Sequence, residues 1–314
     1  MHVARQAQKL ISRALDRIDA TLWSRGLRRW RPPGLLSEAT PPTPLLDLDR
    51  RADPFGYDNV RGAYQHPVTI EGRLYNYVLY PGAGDTLAIH FSAFFGASGE
   101  RRPDRAQFSG YFHRLRMFWP LAQHSFLFLC DTFGAEENGC YYKGENGDFF
   151  VERAMDTIIE SALERTSVRP EQVVTLGSSM GGTAALRFAL RHGYRGAVAV
   201  CPHIDLDLSA VFQNRVPHVT AILGTDDVAN SAHFPVTREI RELAASVPVL
   251  PRLAIQSMLD DHGVHDEQVI PLVEGWLRRG GSVLEEYHET GGHTSDYATA
   301  EYFARSIDWC LEDR

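Results

Sequence analysis

The chain has 314 residues, of which 44% are hydrophobic and 23% are charged, the balance of an ordinary globular protein. The formal net charge of −8 argues against a general affinity for nucleic acid. No run approaches the roughly 20 apolar residues needed to cross a bilayer, and no secretory signal is recognisable, so the expected location is the cytoplasm.

Residues 1–31 differ from the rest because they carry a net charge of +6, which leaves −14 on the remainder. The spacing predicts a basic amphipathic helix over 3–30, with Arg5, Lys9, Arg13 and Arg17 on one face. One interpretation is adsorption to an anionic membrane surface, and the other is packing on the same domain or on a second subunit. A mitochondrial presequence is a third interpretation, and Asp16 and Asp19 count against it.

Prolines dominate the next stretch, and we interpret residues 31–55 as an extended linker. A catalytic domain is predicted over 56–314. Its strands alternate with helical segments of 10–15 residues, which indicates βα units, a mostly parallel sheet and an α/β fold with helices on both faces. A hairpin around Glu71 and Gly72 is expected to open the sheet. The predicted strands are Val68–Ile70, Leu74–Tyr80, Leu87–Phe91, Phe126–Leu129, Val173–Leu176, Ala197–Val200, Val219–Leu223, Leu253–Met258 and Val283–Tyr287.

Four cysteines are scattered along the chain without a CxxC pair, so the sequence predicts neither a zinc site nor a redox motif. Cys130 and Cys201 lie in apolar runs and are expected to be buried thiols. No metal or organic cofactor is expected.

The candidate nucleophile lies in Gly177-Ser-Ser-Met-Gly-Gly182, which directly follows a predicted strand and opens a predicted helix. This is the Gly-x-Ser-x-Gly pattern in the strand–turn–helix setting that presents a serine hydroxyl above a sheet. The pattern selects Ser179, since Ser178 is off-centre. A Cβ atom at position 177 or 181 is expected to collide with the neighbouring strand or helix.

A serine needs a base, and in this type of fold the chain order is serine, acid, histidine. His293 is the preferred base among the thirteen histidines, because it follows the last predicted strand in a glycine-rich loop. His288, at the end of that strand, is the less favoured alternative. Asp260, at the exit of the strand Leu253–Met258, is the preferred acid; Asp261 is close behind, and Asp226 is a third candidate.

The oxyanion formed during the reaction needs backbone donors. The N–H of Met180 is one candidate, and the loop after Leu87–Phe91 supplies the second, from Ala93 or Phe94. Ala93, Asp131 and Tyr142 are the candidate substrate-binding residues, because their loops are expected at the carboxyl edge of the sheet, where such folds bind ligands. The alternative for the loop that carries Asp131 and Tyr142 is a surface loop whose tyrosines serve packing.

The elbow at Gly177–Gly182, the acid near Asp260 and the late His293 together resemble the α/β-hydrolase superfamily over residues 65–314. The run Asp131-Thr-Phe-Gly, then Tyr-Tyr-x-Gly at 141–144, then the elbow is similar to a bacterial group with this fold. That group comprises capsule-biosynthesis proteins and accessory secretory-system proteins tied to glycan acetylation. The resemblance implies an acyl ester on a carbohydrate as substrate.

Three functions are compatible with these residues. The first is a serine esterase that works through an acyl-enzyme on Ser179, cleaving a small-molecule or glycan ester. The second uses the same site as an acyltransferase. The third is a non-catalytic partner protein that has kept the fold, with residues 3–30 as its contact to a membrane surface or a subunit.

Overall fold

Short apolar runs form a twisted sheet, which we describe from a computed structural model covering residues 43–44, 64–80, 82–94, 112, 114–118, 121 and 123–312. The predicted helix over 3–30 lies outside the described residues. Of the predicted linker, only two residues are described, and they form a short strand antiparallel to the next one.

The described sheet has nine strands in the spatial order β1-β2-β3-β5-β4-β6-β7-β8-β9. The pairs from β5 through β4 to β9 are parallel, whereas β1, β2 and β3 are antiparallel additions at one edge. The strands are β1 Thr43–Pro44, β2 Tyr64–Ile70, β3 Arg73–Tyr80, β4 Leu87–Phe91, β5 Ser125–Leu129, β6 Val173–Ser178, β7 Gly196–Val200, β8 Arg252–Met258 and β9 Val283–His288.

The opening hairpin is confirmed: β2 and β3 are joined at Glu71 and Gly72, which both have positive φ (49° and 74°). The central strands β4 to β7 are buried along their whole length, because helices cover both sides of the sheet. The α-helices used below are α1 Leu115–Phe118, α2 Phe150–Thr166, α3 Met180–His192, α4 Leu206–Phe212, α5 Val216–Leu223, α6 Phe234–Thr237, α7 Glu239–Ser246, α8 Ile270–Arg278 and α9 Ala300–Leu311.

Two apolar clusters, one on each face of the sheet, form the core. The first includes Phe188 of α3 and Trp276 of α8, together with residues of α2. The second packs Phe118 of α1 against Phe303 of α9, with their ring centroids 5.1 Å apart at 80°. The predicted α/β architecture with helices on both faces is therefore confirmed.

One predicted strand is wrong. Residues Val219–Leu223 belong to helix α5, and β7 pairs directly with β8, so no strand lies between them. A proline in the first turn of α5 favours a helix start, and Gly224, with a φ of 73°, ends the helix in the left-handed conformation. Val219 and Ile222 are buried three residues apart on one face. A five-residue apolar run cannot by itself distinguish this face from a strand.

Candidate active site

The turn between β6 and α3 holds Ser179 in a strained backbone conformation, with φ 51° and ψ −123°. The N–H of Ser179 donates to the carbonyl of Val200 at 2.8 Å, which ties the turn to strand β7. Such a conformation costs of order 1–3 kcal/mol and persists only where surrounding contacts impose it.

Glycines make this turn sterically possible. A Cβ atom on Gly177 would lie 2.4 Å from the backbone carbon of Gly181, and one on Gly181 would lie 2.1 Å from the carbonyl oxygen of Phe91. Both separations are far below van der Waals contact. Strand β6, the start of α3 and strand β4 can therefore approach one another this closely only because these two positions have no side chains.

Three polar side chains from distant parts of the sequence form one chain of hydrogen bonds. The hydroxyl of Ser179 donates to Nε2 of His293 at 2.9 Å, and Nδ1 of that imidazole donates to Oδ2 of Asp261, also at 2.9 Å. The histidine side chain is 19% exposed and the aspartate 6%. This arrangement lets the imidazole accept the serine proton while the carboxylate fixes its tautomer.

The carboxylate in contact with the imidazole is that of Asp261, the second of the candidate acids, and not that of Asp260. Strand β8 ends at Met258, and the N–H of Asp261 donates back to the Met258 carbonyl at 3.1 Å, which turns the Asp261 side chain inward. Asp260 lies on the exposed side of the turn and accepts hydrogen bonds from the N–H groups of Gly291 and Gly292 at 3.0 and 2.8 Å. These two bonds lower the pKa of the Asp260 carboxyl and anchor the loop that carries His293.

The other candidate acid and base lie elsewhere. Asp226 is exposed in the turn after helix α5. It therefore does not follow a strand, although the sequence had suggested that it would. His288 is bonded through Nε2 to Glu286 at 3.1 Å and stacks on Tyr297 with ring centroids 4.0 Å apart.

Gln213, which the sequence did not single out, extends the hydrogen-bonded chain. Its side-chain N–H donates to Oδ1 of Asp261 at 2.7 Å, so both carboxylate oxygens are engaged. The residue directly follows helix α4, in the connection between β7 and β8. No local pattern marks a glutamine for such a contact, because only the folded connection brings it to the acid.

His203 was not singled out either, although it is fully buried beside the hydrogen-bonded side chains of Ser179, His293 and Asp261, which we call the candidate triad. Its ring stacks on that of His293 with centroids 4.7 Å apart and an interplanar angle of 20°. Nδ1 is 2.7 Å from the hydroxyl of Tyr141, and burial lowers the pKa of His203 well below its usual value. A neutral ring on this face adds no hydrogen bond to His293 but limits its rotation.

Of the two candidate oxyanion donors, Met180 is adjacent to Ser179 in the chain. Met180 is the first residue of α3, and the first N–H groups of a helix have no carbonyl partner within it. A Cβ atom on Gly139 would lie 2.5 Å from the sulfur of Met180 and 3.3 Å from the Phe94 ring, so these two side chains border the same small space. Ala93 is the partly buried residue before Phe94.

Two of the candidate substrate-binding residues face the protein interior. Asp131 is buried and accepts hydrogen bonds from the backbone N–H groups of Phe133, Cys140 and Tyr142 at 3.2, 2.7 and 2.8 Å. Tyr142 is also fully buried, and its hydroxyl lies within bonding distance of the carbonyls of Ser92 (3.0 Å) and Leu129 (3.2 Å). These contacts hold the loop after β5 in place, so the structure gives both residues a scaffolding position rather than one that faces a ligand.

All four cysteines are free and buried, as predicted for Cys130 and Cys201. Within the described ranges, no group of three His, Cys, Asp or Glu side chains is placed to hold a metal ion. Across the same ranges, no helix combines the length and apolar character needed to cross a membrane.

Comparisons with known proteins agree with this geometry at the level of the fold. No protein-family model and no curated protein sequence matches the chain. Among solved structures, the capsule O-acetyltransferase of Neisseria meningitidis serogroup A superposes with a TM-score of 0.62 at 19% identity, covering 81% of this chain and 97% of that one.

Two further structures are similar. A glycosylation-associated protein complex (Gap123) from Streptococcus agalactiae gives a TM-score of 0.60 at 16% identity, covering 81% of this chain and 48% of that one. The fluorophosphonate-binding serine hydrolase F of Staphylococcus aureus gives 0.57 at 15% identity, covering 80% and 98%. The chain therefore has the α/β-hydrolase fold, and it shares this fold with a capsule O-acetyltransferase and a glycosylation-associated protein.

Proposed function

We propose that this chain with the α/β-hydrolase fold is a serine enzyme that forms an acyl-enzyme on Ser179 from a carboxylic ester. The observation that carries the proposal is the continuous chain of hydrogen bonds from Ser179 through His293 to Asp261, with separations of 2.9 Å at both steps. Serine hydrolases and an O-acetyltransferase among the structurally similar proteins support the same chemistry.

In the proposed reaction, Oγ of Ser179 attacks the ester carbonyl while Nε2 of His293 takes the hydroxyl proton. The N–H groups of Met180 and Phe94 receive the negative charge that forms on the carbonyl oxygen. As the tetrahedral adduct collapses, the imidazolium returns the proton to the departing alkoxide. An acyl-enzyme and a free alcohol result.

The second half-reaction uses the same groups. The oxygen of the attacking water or hydroxyl bonds the acyl carbon while Nε2 of His293 takes its proton. The acyl–Oγ bond then breaks, and the imidazolium returns the proton to Oγ of Ser179. Water as the attacking group gives the esterase reaction, which we take as the main function. A carbohydrate hydroxyl gives acyl transfer instead, and this second candidate is favoured by the similarity to a capsule O-acetyltransferase, one structure of which contains CoA.

Labelling with a fluorophosphonate probe tests the nucleophile. We expect the wild-type chain to be labelled at Ser179 and Ser179→Ala not to be labelled. Ser178→Ala is the matched control, because Ser178 is the adjacent buried serine, and its hydroxyl accepts a hydrogen bond from Arg114 at 2.9 Å. Labelling that persists in Ser179→Ala would refute the proposal, and a fully folded wild-type chain that neither reacts nor turns over p-nitrophenyl esters would favour the non-catalytic partner protein.

The fate of the acyl group distinguishes hydrolysis from transfer. The acetyl-enzyme formed from p-nitrophenyl acetate is offered a panel of oligosaccharides, and acetate is measured against acetylated sugar. Free acetate alone supports the esterase, whereas acetylated sugar in excess of acetate supports the transferase.

The placement of the enzyme is also a proposal. We place it in the cytoplasm, with residues 3–30 in contact with a subunit or a membrane surface, and the similarity to a protein of the Gap123 complex supports a subunit contact. Deletion of residues 1–31 is expected to release the chain from its partner in size-exclusion chromatography. An unchanged elution profile, together with unchanged binding to anionic vesicles, would contradict this assignment.

A further inference from the structure

A group of three basic side chains beside the triad has no role in the reaction described above. They are His203, Arg215 and His218, and we call them the basic cluster. Arg215 immediately precedes helix α5, and His218 lies in its first turn. The Phe94 ring connects them, since the guanidinium carbon of Arg215 is 4.8 Å from its centroid and the His218 ring is 4.4 Å from it.

The cluster is adjacent to the reacting groups. Phe94 is the candidate oxyanion residue, and its ring also makes an edge contact with Tyr141 at 5.1 Å. The Tyr141 hydroxyl in turn bonds His203, which stacks on His293. The basic cluster is therefore connected to the proposed catalytic imidazole through Phe94, Tyr141 and His203, of which His203 is in direct contact with it.

Four of the seven side-chain nitrogen atoms in the basic cluster are buried without a hydrogen-bond partner among the described residues. Nε2 of His203, Nε of Arg215 and both ring nitrogens of His218 are buried and unbonded in the described part of the chain. Among the described residues, Arg215 forms no ion pair, and its guanidinium contacts the Phe94 ring. Arg215 and His218 are partly exposed, so a ligand can reach them from solvent, whereas His203 is fully buried. Buried polar atoms are nearly always bonded, so four unbonded nitrogens on neighbouring side chains indicate a place for a ligand.

The charges in the cluster favour an anion over a cation. Arg215 is permanently charged, and after burial its proximity is a further cause that lowers the pKa of His203 and of His218, the latter to about 4. Both imidazoles are therefore neutral at pH 7, and a neutral imidazole can donate one hydrogen bond. When the Tyr141 hydroxyl donates to Nδ1 of His203, the ring proton is left on Nε2, where it can donate to a ligand.

We propose that Arg215, with His203 and His218, binds an anionic oxygen group, a phosphate or a carboxylate, that the substrate carries next to its ester. The proposal rests on the proposed function, because it identifies the substrate class of the same site. The guanidinium supplies the charge and a fork of N–H donors, and the two rings supply single neutral donors. The anionic group belongs either to the acyl portion of the ester or to the alcohol portion.

The first arm of the test measures binding without catalysis. Calorimetry at low ionic strength follows the binding of inorganic phosphate and of glucose 1-phosphate, with glucose as the neutral control. We expect the phosphates to bind to the wild type, about 10- to 100-fold more weakly to Arg215→Gln, and with intermediate affinity to Arg215→Lys. Arg278→Gln is the matched control, because Arg278 is an exposed arginine paired with Glu274 on α8.

The second arm compares two p-nitrophenyl esters of equal acyl length, the monoanionic glutarate and the neutral valerate. A carboxylate site on the acyl side predicts a preference for glutarate that falls about 10-fold or more in Arg215→Gln and is unchanged in Arg278→Gln. Phosphate binding without this preference places the anion on the alcohol side.

Two outcomes would overturn the proposal: equal phosphate affinity in all variants, or absence of both phosphate binding and glutarate preference in the folded wild type. Failure of the proposed function is distinguishable. If no ester is turned over and no fluorophosphonate label is incorporated, the calorimetric arm alone decides whether the anion site exists.

Discussion

The assignment of Asp261 as the triad acid makes a sharp prediction, because two adjacent aspartates differ in their contacts. Asp261→Asn replaces the carboxylate that bonds Nδ1 of His293 by an amide, while Gln213 continues to donate to the amide oxygen. The amide nitrogen then faces the imidazole and favours the tautomer with its proton on Nε2, which cannot accept the serine proton. The corresponding change in a serine protease lowers kcat about 10⁴-fold, equivalent to about 5 kcal/mol of barrier, and we expect a similar loss here.

Asp260→Asn is expected to lower kcat on the order of 10-fold or less. Its two bonds to the Gly291 and Gly292 backbone position the loop only indirectly, and they lie in contact with water, which screens them. Stopped-flow measurement of p-nitrophenyl acetate turnover, with circular dichroism to verify folding, distinguishes the two variants. Asp226→Asn is the control and is expected to match the wild type. A larger loss in Asp260→Asn than in Asp261→Asn would refute the reasoning.

Further predictions concern packing, the hydrogen-bonded chain, pH and thiol chemistry. Gly181→Ala places a methyl group 2.1 Å from the Phe91 carbonyl oxygen and should lower the free energy of unfolding in urea by more than about 3 kcal/mol; wild-type stability would contradict the steric argument. Gln213→Ala removes a 2.7 Å bond to the acid and should lower kcat about 10-fold with little change in KM. Burial lowers the pKa of His218 to about 4. Between pH 6.5 and about 4, His218 is therefore protonated in the unfolded state but not in the native state, so the free energy of unfolding should fall as the pH drops through this range. His218→Gln should remove up to about 2 kcal/mol of that pH dependence, and an unchanged slope would count against it. Burial raises the pKa of Cys201 to about 12, so Ellman's reagent should react with none of the four buried cysteines until the chain is denatured.

The sheet and the glycine-lined turn at Ser179 could be predicted from the sequence because those features have local causes. Alternating apolar runs and helical segments define parallel βα units, and every predicted strand except one lies within an observed strand. The turn at Ser179 can be predicted from the sequence because its backbone geometry requires glycines at fixed positions, and the chain has glycines there. The chain order of the fold then limits where the histidine can lie.

The choice between Asp260 and Asp261 could not be made from the sequence, since it depends on which way the chain turns after Met258. A single backbone bond from Asp261 to Met258 decides it. Similarly, the sequence left open whether Asp131 and Tyr142 face a ligand or serve packing, and in the structure they bond backbone groups of the loop after β5 and of neighbouring segments. Local patterns identify polar residues near a sheet edge without revealing whether they face inward or outward.

The groups that surround the triad were missed for a different reason. Gln213, Arg215 and His218 all lie in the long connection between β7 and β8, where an apolar run in α5 was mistaken for a strand. Their importance arises from long-range contacts with the acid and with Phe94. No spacing within the connection indicates such contacts.

The direct pairing of β7 with β8 has a consequence for how such an enzyme diversifies. The excursion between these strands leaves the sheet and returns to the adjacent position, so its length and content are free of the constraints that the sheet imposes. The serine, histidine and aspartate are all supplied from outside it. Under the proposed function, the bond-breaking groups and the anion-binding residues Arg215 and His218 lie in separate stretches of the chain. Exchanging residues 204–248 between relatives, with Gln213 retained because it bonds Asp261, should therefore change selectivity while the reacting groups keep their contacts.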